Sequence, residues 1–238
     1  MDAGAEGVKK YLKSGAEKFA ESGRMPKMAR AATLARLGNV VLLFDMIGYA
    51  DSMQLSYQLA HRFAKQRPEM EGKESWGLFS TQAELQLQSI MGIQTWNSIR
   101  LLDHLTGRPD VDPSRIGITG GSGGGTQSFM LAALDERVRV AFPAVMVSTE
   151  MQGGCVCENA PHLRVGTSNI GISALVAPRA LGMTGADDWT LHIEERGLPE
   201  LKQIWELYDR ADAVQARCFP QFGHNYNAHG RGEMYPFL

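Results

Sequence analysis

Gly120-Gly121-Ser122-Gly123-Gly124 sets a serine inside the pattern G-x-S-x-G. A serine hydroxyl attacks carbonyl carbon only when a base removes its proton and the backbone presents it clear of its neighbours. The small flanking residues serve the second need, because they let the chain turn sharply from a strand into a helix. The helix N-terminus then faces any developing anion, and the N–H of Gly123, directly after the serine, is the first expected oxyanion donor. With 26 glycines in 238 residues, the motif alone carries little weight. The competing use of a glycine-rich strand-to-helix turn is phosphate binding, but G-x-G-x-x-G does not occur and no lysine follows as in a P-loop.

A serine of this kind needs a base, and the base needs an orienting acid, in the chain order Ser, Asp or Glu, His. Gly185-Ala186-Asp187-Asp188-Trp189 and Phe222-Gly223-His224-Asn225-Tyr226-Asn227 each follow an apolar run at the required place. Asp188 is the preferred acid, Asp187 its rival, and His224 the preferred base. His229 lies further from its strand end, and His61, His104, His162 and His192 fall on expected helices or other loops. Glu158, in the loop Gln152–Pro161, suits a sugar hydroxyl or the role of alternative acid. Cys155, Cys157 and His162 lack the C-x₂-C spacing of a zinc site and offer only three close ligands. Neither metal nor cofactor is expected.

These residues need a frame. Val40–Phe44, Arg115–Thr119, Val138–Val147, Ala177–Thr184 and Val214–Phe219 read as strands, the first apolar throughout, as in a strand covered on both faces. Thr81 to Glu84 fits a capping box, and Leu87, Ile90, Ile93, Trp96, Ile99, Leu102 and Leu105 recur at helical spacing behind it until Gly107 and Pro109. Thr126–Leu134 and Leu201–Tyr208 read as further helices, and Met1–Ala31 as a helical N-terminal segment. Alternating strands and helices predict an α/β chain, with a mostly parallel sheet of about five strands, helices on both faces and the site at the strands' carboxyl ends. Residues 1–238 form a single expected domain, and residues 50–80 are a candidate lid.

Composition narrows the partners. Lys+Arg 24 against Asp+Glu 26 gives a net charge of −2, so no basic excess argues for nucleic acid or an anionic membrane surface. No apolar run approaches the ~18–20 residues of a membrane span. Three cysteines make no disulfide scaffold, and the N-terminus lacks the apolar core of a signal peptide. The chain as written reads as cytoplasmic; an exported protein without its leader would read the same.

Several segments together resemble the acetyl xylan esterase-like group of α/β hydrolases, relatives of the dienelactone hydrolases. They are Phe44–Ser52, Trp96–Arg100, Thr119–Gln127, Gln152–Pro161, Ala186–Thr190 and His224–Asn227, in the right order. The resemblance implies a trimmed α/β-hydrolase fold and hydrolysis of short acyl esters, typically acetyl groups on a sugar, with Ser122 as nucleophile, Asp188 as acid and His224 as base. The expected enzyme is a serine carboxylesterase that needs no cofactor and acts on a small-molecule or carbohydrate ester. Glu158, Trp189, Tyr226 and Trp76 are candidate substrate contacts. Two features depart from the group. No strand and no His-Gly loop precede Ala31, and Met234–Leu238 stands where a last helix is expected. The competing expectation is a weak or inactive relative kept as a binding or assembly module. Val40–Phe44 as an uncovered interior strand further implies a homo-oligomer, most simply a dimer.

Overall fold

The computed structural model describes residues 26–61, 85–150 and 153–238. In chain order the helices are α1 (Pro26–Arg36), α2 (Tyr57–Ala60), α3 (Ile90–Thr106), α4 (Gly123–Leu134), α5 (Asn169–Ala174), α6 (Leu198–Glu206) and α7 (Ala228–Phe237). The strands are β1 (Ile116–Gly121), β2 (Val138–Ala144), β3 (Ala180–Ala186) and β4 (Val214–Phe219). All pair in parallel in the order β1-β2-β3-β4. Each neighbouring pair is joined by a crossover that carries a helix, which parallel pairing requires.

Register explains how the strand ends meet. Gly121 pairs with Ala144, Ala144 with Thr184, and Ala186 with Phe219. Ser122, Asp188 and the loop to His224 therefore leave the sheet along one edge. Backbone bonds carry the ladder past the strands: the N–H of Ser122 donates to the carbonyl of Ala144 at 3.0 Å, that of Val145 to Thr184 at 2.8 Å, and that of Asp187 to Phe222 at 2.7 Å.

Both faces of the sheet are covered, as a parallel sheet demands. Successive residues show it, because strand side chains alternate between faces. Ala141 joins the main core with Phe129, Leu181, Met183 and Trp205, while Phe142 packs with Met234 and Leu34 on the other side. The helix α7 supplies Met234 and Phe237 to that second face. It starts at Asn227, whose side chain accepts from the N–H groups of His229 and Gly230.

Two expectations are corrected. The sheet has four strands among the described residues, not five, because Val40–Phe44 forms no ladder. That run is apolar because Val41 packs beside Leu34 and Met234 while Leu42, Leu43 and Phe44 wall a cavity. Met234–Phe237, read as departing from a last helix, is the end of α7. The capping box at Thr81–Glu84 lies outside the described residues, as do most of Met1–Ala31 and of the candidate lid. Within the described part α3 begins at Ile90, capped by Ser89, whose hydroxyl accepts from the Gly92 N–H at 2.9 Å. No described helix is long and apolar enough to cross a membrane.

Candidate active site

Ser122 stands between β1 and α4 with φ 56° and ψ −123°. A positive φ on a non-glycine residue is strained by ~1–3 kcal/mol and persists only where the surroundings enforce it. They do so here. A Cβ at Gly120 would lie 2.3 Å from the carbonyl oxygen of Gly124, so glycine at 120 lets the first turn of α4 fold back over the strand end. Gly124 has open space around its missing Cβ, so only one of the motif's two outer glycines is sterically required. Gly123 opens α4, where the first N–H groups have no partner within the helix. Its N–H is thus available to an oxyanion.

Asp188 and His224 meet across the strand ends. The Nδ1–H of His224 donates to Asp188 Oδ2 at 2.7 Å. The other oxygen, Oδ1, accepts from the Thr190 N–H at 2.7 Å and from the Thr190 hydroxyl. Burial alone would raise the Asp188 carboxyl. The hydrogen bonds from His224 and Thr190 outweigh it and hold the group below the ordinary aspartate value. Asp187, the rival, is exposed, and its side chain makes no part of this pair. Trp189 packs against the imidazole at a tilt of 34°, with ring centroids 4.6 Å apart. His229 lies on α7 against Phe219 and Phe222.

Ser122 and His224 line one cavity of about 470 Å³, bounded by Leu42, Leu43, Phe44, Met46, Gln127 and Tyr226. Tyr226 is a wall more than a contact, since its hydroxyl already shares a 2.6 Å hydrogen bond with Thr119, and burial pushes its phenol up to about 12. Lys27, Arg30 and the buried Arg231 line the cavity, and no carboxylate stands among its described lining residues. Arg30 lies over the Tyr226 ring at 4.7 Å. The sequence reading missed this basic lining, because its residues come from α1 and α7 at opposite ends of the chain.

Glu158 is buried beside the nucleophile, although it does not line the cavity. Its Oε1 would come 3.1 Å from a Cβ at Gly123. Burial, then the neighbouring Cys155, raises its carboxyl above the ordinary value, against hydrogen bonds from the N–H groups of Gly154 and Cys155. It does not hold Nδ1 of His224; Asp188 does. Trp76 lies outside the described residues. Thr190 was overlooked at the sequence level, although an Asp followed two residues later by Thr is a pattern for a local side-chain turn.

Known proteins agree with this arrangement at the level of fold. Residues 52–157, which include Ser122 but neither Asp188 nor His224, match the family described as "Glucuronyl esterase, fungi". A putative hydrolase, YtaP, of Bacillus subtilis (strain 168) is 32% identical over 106 residues, 41% of this chain and 36% of that protein. Methylesterase BT1017 superposes with a TM-score of 0.59 at 35% identity, over 62% of this chain and 34% of that one. A glucuronoyl esterase from Solibacter usitatus superposes with a TM-score of 0.54 at 16% identity, over 81% of this chain and 55% of that one. The chain thus spans about a third of the length of the hydrolase and the methylesterase that it matches. The expected resemblance holds at the level of α/β hydrolases, and the parallel four-stranded sheet with its helices is an α/β-hydrolase-like fold.

Proposed function

We propose that this chain carries the reaction centre of a serine carboxylic-ester hydrolase acting on carbohydrate esters, in first place alkyl esters of uronic acids. One observation carries the reading: a strained serine at a strand-to-helix turn shares a cavity with a histidine whose far nitrogen is held by a buried aspartate. With Nδ1–H donating to Asp188, the other ring nitrogen, Nε2, is the basic one. It takes the Ser122 proton as Oγ bonds to the ester carbonyl carbon. The tetrahedral oxyanion is met by the Gly123 N–H, and the alcohol leaves with the proton from Nε2. Water, deprotonated by the same nitrogen, then cleaves the acyl-serine, and the acid departs.

Two observations favour a uronic acid on the acyl side. The similar proteins are a methylesterase and glucuronoyl esterases, and Lys27 and Arg30 give the cavity lining a positive sign that suits a chain of sugar carboxylates. The second reading, an acetyl group on a sugar, rests on the sequence resemblance. It places the sugar on the alcohol side and needs less room than about 470 Å³ provides. Methanol release from methyl glucuronate, measured beside p-nitrophenyl acetate hydrolysis, separates the two readings. The expected result is faster turnover of the uronate ester, with both rates falling to background in Ser122→Ala. Equal rates for wild type and Ser122→Ala would favour the inactive scaffold.

A further inference from the structure

Outside the cavity, three metal-binding side chains converge from distant parts of the sequence. His61, Cys155 and Cys157 bring Nδ1 and two sulfur atoms together: Cys157 Sγ lies 3.4 Å and Cys155 Sγ 3.7 Å from His61 Nδ1, and the sulfurs are 3.2 Å apart. Neither cysteine is in a disulfide. His162, the histidine nearest these cysteines in sequence, is not a member of the group.

The imidazole is already set for ligation. Its Nε2 lies 2.6 Å from the Ile47 carbonyl oxygen, which can only accept, so Nε2 carries the proton and Nδ1 turns its lone pair toward the two sulfurs. A backbone carbonyl on the far nitrogen is the usual outer partner of a metal-bound histidine. Tyr57 stacks on the ring at 5.0 Å and Tyr49 meets it edge-on at 4.5 Å, which fixes its plane. His61 and Cys157 are buried, in a small apolar cluster with Ile47, Ala60 and Ile90, while Cys155 is partly open.

We propose that His61, Cys155 and Cys157 bind a zinc ion, as three of its four ligands. Two thiolates and an imidazole select a borderline-soft cation over calcium or magnesium. Tetrahedral zinc, with bonds of ~2.3 Å to sulfur and ~2.0–2.1 Å to nitrogen, needs S···N near ~3.5 Å and S···S near ~3.8 Å. The S···N distances are met, and the sulfurs need to open by about half an ångström, a rotamer adjustment. The ion would tie the turn around Ile47 and Gly48 to the loop that holds Glu158 against Gly123. Those are the two segments beside the nucleophile whose own apolar cluster is small.

The test uses the full chain without a histidine tag. Zinc is counted by mass spectrometry after growth with added zinc, and the apo chain is titrated with Co²⁺. About one zinc per chain is expected, with the thiolate-to-cobalt charge-transfer band and strong visible bands of a tetrahedral site. Cys155→Ser and Cys157→Ser should each weaken binding at least ~100-fold, given that outer-sphere changes alone cost ~10–100-fold, and Cys218→Ser should leave it unchanged. If the serine variants do not fold, zinc released from the wild type by an organomercurial thiol reagent reads the same ligation. Substoichiometric metal, cobalt bands that survive in the double serine variant, or a wild-type mass two hydrogens low without metal (a Cys155–Cys157 disulfide) would each overturn the proposal.

Discussion

Asp188→Asn tests the reaction centre with the least change of shape. The aspartate makes two different contacts. Oδ1 accepts from the Thr190 N–H and hydroxyl, and Oδ2 accepts from His224 Nδ1–H. An asparagine in the same rotamer must keep its carbonyl oxygen toward Thr190, because turning the amide over would set its NH₂ against the Thr190 N–H. The NH₂ therefore points at His224 Nδ1 and forces that nitrogen to accept. The proton moves to Nε2, the nitrogen that must take the Ser122 proton, and the base is lost while every heavy atom stays in place. A wrong-tautomer change of this kind lowers kcat by ~10⁴ in the serine proteases where it is known, which corresponds to ~5.4 kcal/mol of barrier at ~1.36 kcal/mol per tenfold. Single-turnover hydrolysis of methyl glucuronate under saturating conditions measures it, with Asp187→Asn as the control expected to keep most activity. Loss of less than about tenfold in Asp188→Asn, or an equal loss in Asp187→Asn, would refute the assignment.

Within G-x-S-x-G the two outer glycines should part company. Gly120→Ala meets backbone at 2.3 Å and should lose several kcal/mol or fail to fold, whereas Gly124→Ala, in open space on α4, should keep the fold and gain up to ~1 kcal/mol of helix propensity. Denaturant melts of both variants check this. Glu158 is held above its ordinary value, so the unfolded chain releases that proton first and stability falls as pH rises from the unfolded value upward. Glu158→Gln should therefore melt higher than wild type at pH 8, with the gap shrinking toward pH 4. Asp188 has the opposite sign, and the stability it contributes above its unfolded value should be lost as pH falls. Added salt should raise KM for a polymeric uronate ester through screening of Lys27 and Arg30, and leave p-nitrophenyl acetate unaffected; equal sensitivity of both substrates would count against the charged lining. Self-association, proposed now from the exposure of Leu37, Val40 and Leu43, should appear in light scattering at micromolar concentration.

The sequence was legible where local chemistry and position in the chain coincide. Four apolar runs bounded by turn residues became β1 to β4, and the strand ends fixed Ser122 and His224 because a parallel sheet brings its carboxyl ends to one edge. Asp188 was preferred over Asp187 without sight of the contacts that support it, the Thr190 side chain and N–H gripping its second oxygen. Val40–Phe44 was misread because an apolar run does not by itself distinguish a strand interior from a half-exposed cavity wall, and only the first makes a ladder. The basic cavity lining, and the meeting of His61 with Cys155 and Cys157, escaped for another reason. Lys27 and Arg30 lie far from Arg231 in the chain, and His61 far from the two cysteines, and no spacing rule links residues that only folding brings together.

Two carboxyl groups near one histidine could both claim to orient it, and the geometry divides them. Asp188 is buried yet receives donors on both oxygens, so its charge is stabilised where it sits. Glu158 is buried with weaker compensation and is pushed the other way. Environments that drive two acids apart in this manner assign them different work. A second full charge beside Gly123 would oppose an oxyanion at its N–H in the proposed reaction, since like charges repel. Raising the Glu158 carboxyl favours its neutral form and weakens that opposition. The hydrogen bonds from His224 and Thr190, working against burial, keep Asp188 as the anion that in the proposed reaction balances the imidazolium. In the proposed reaction Glu158 would then act through the field at Gly123, and Asp188 through the tautomer and charge of His224.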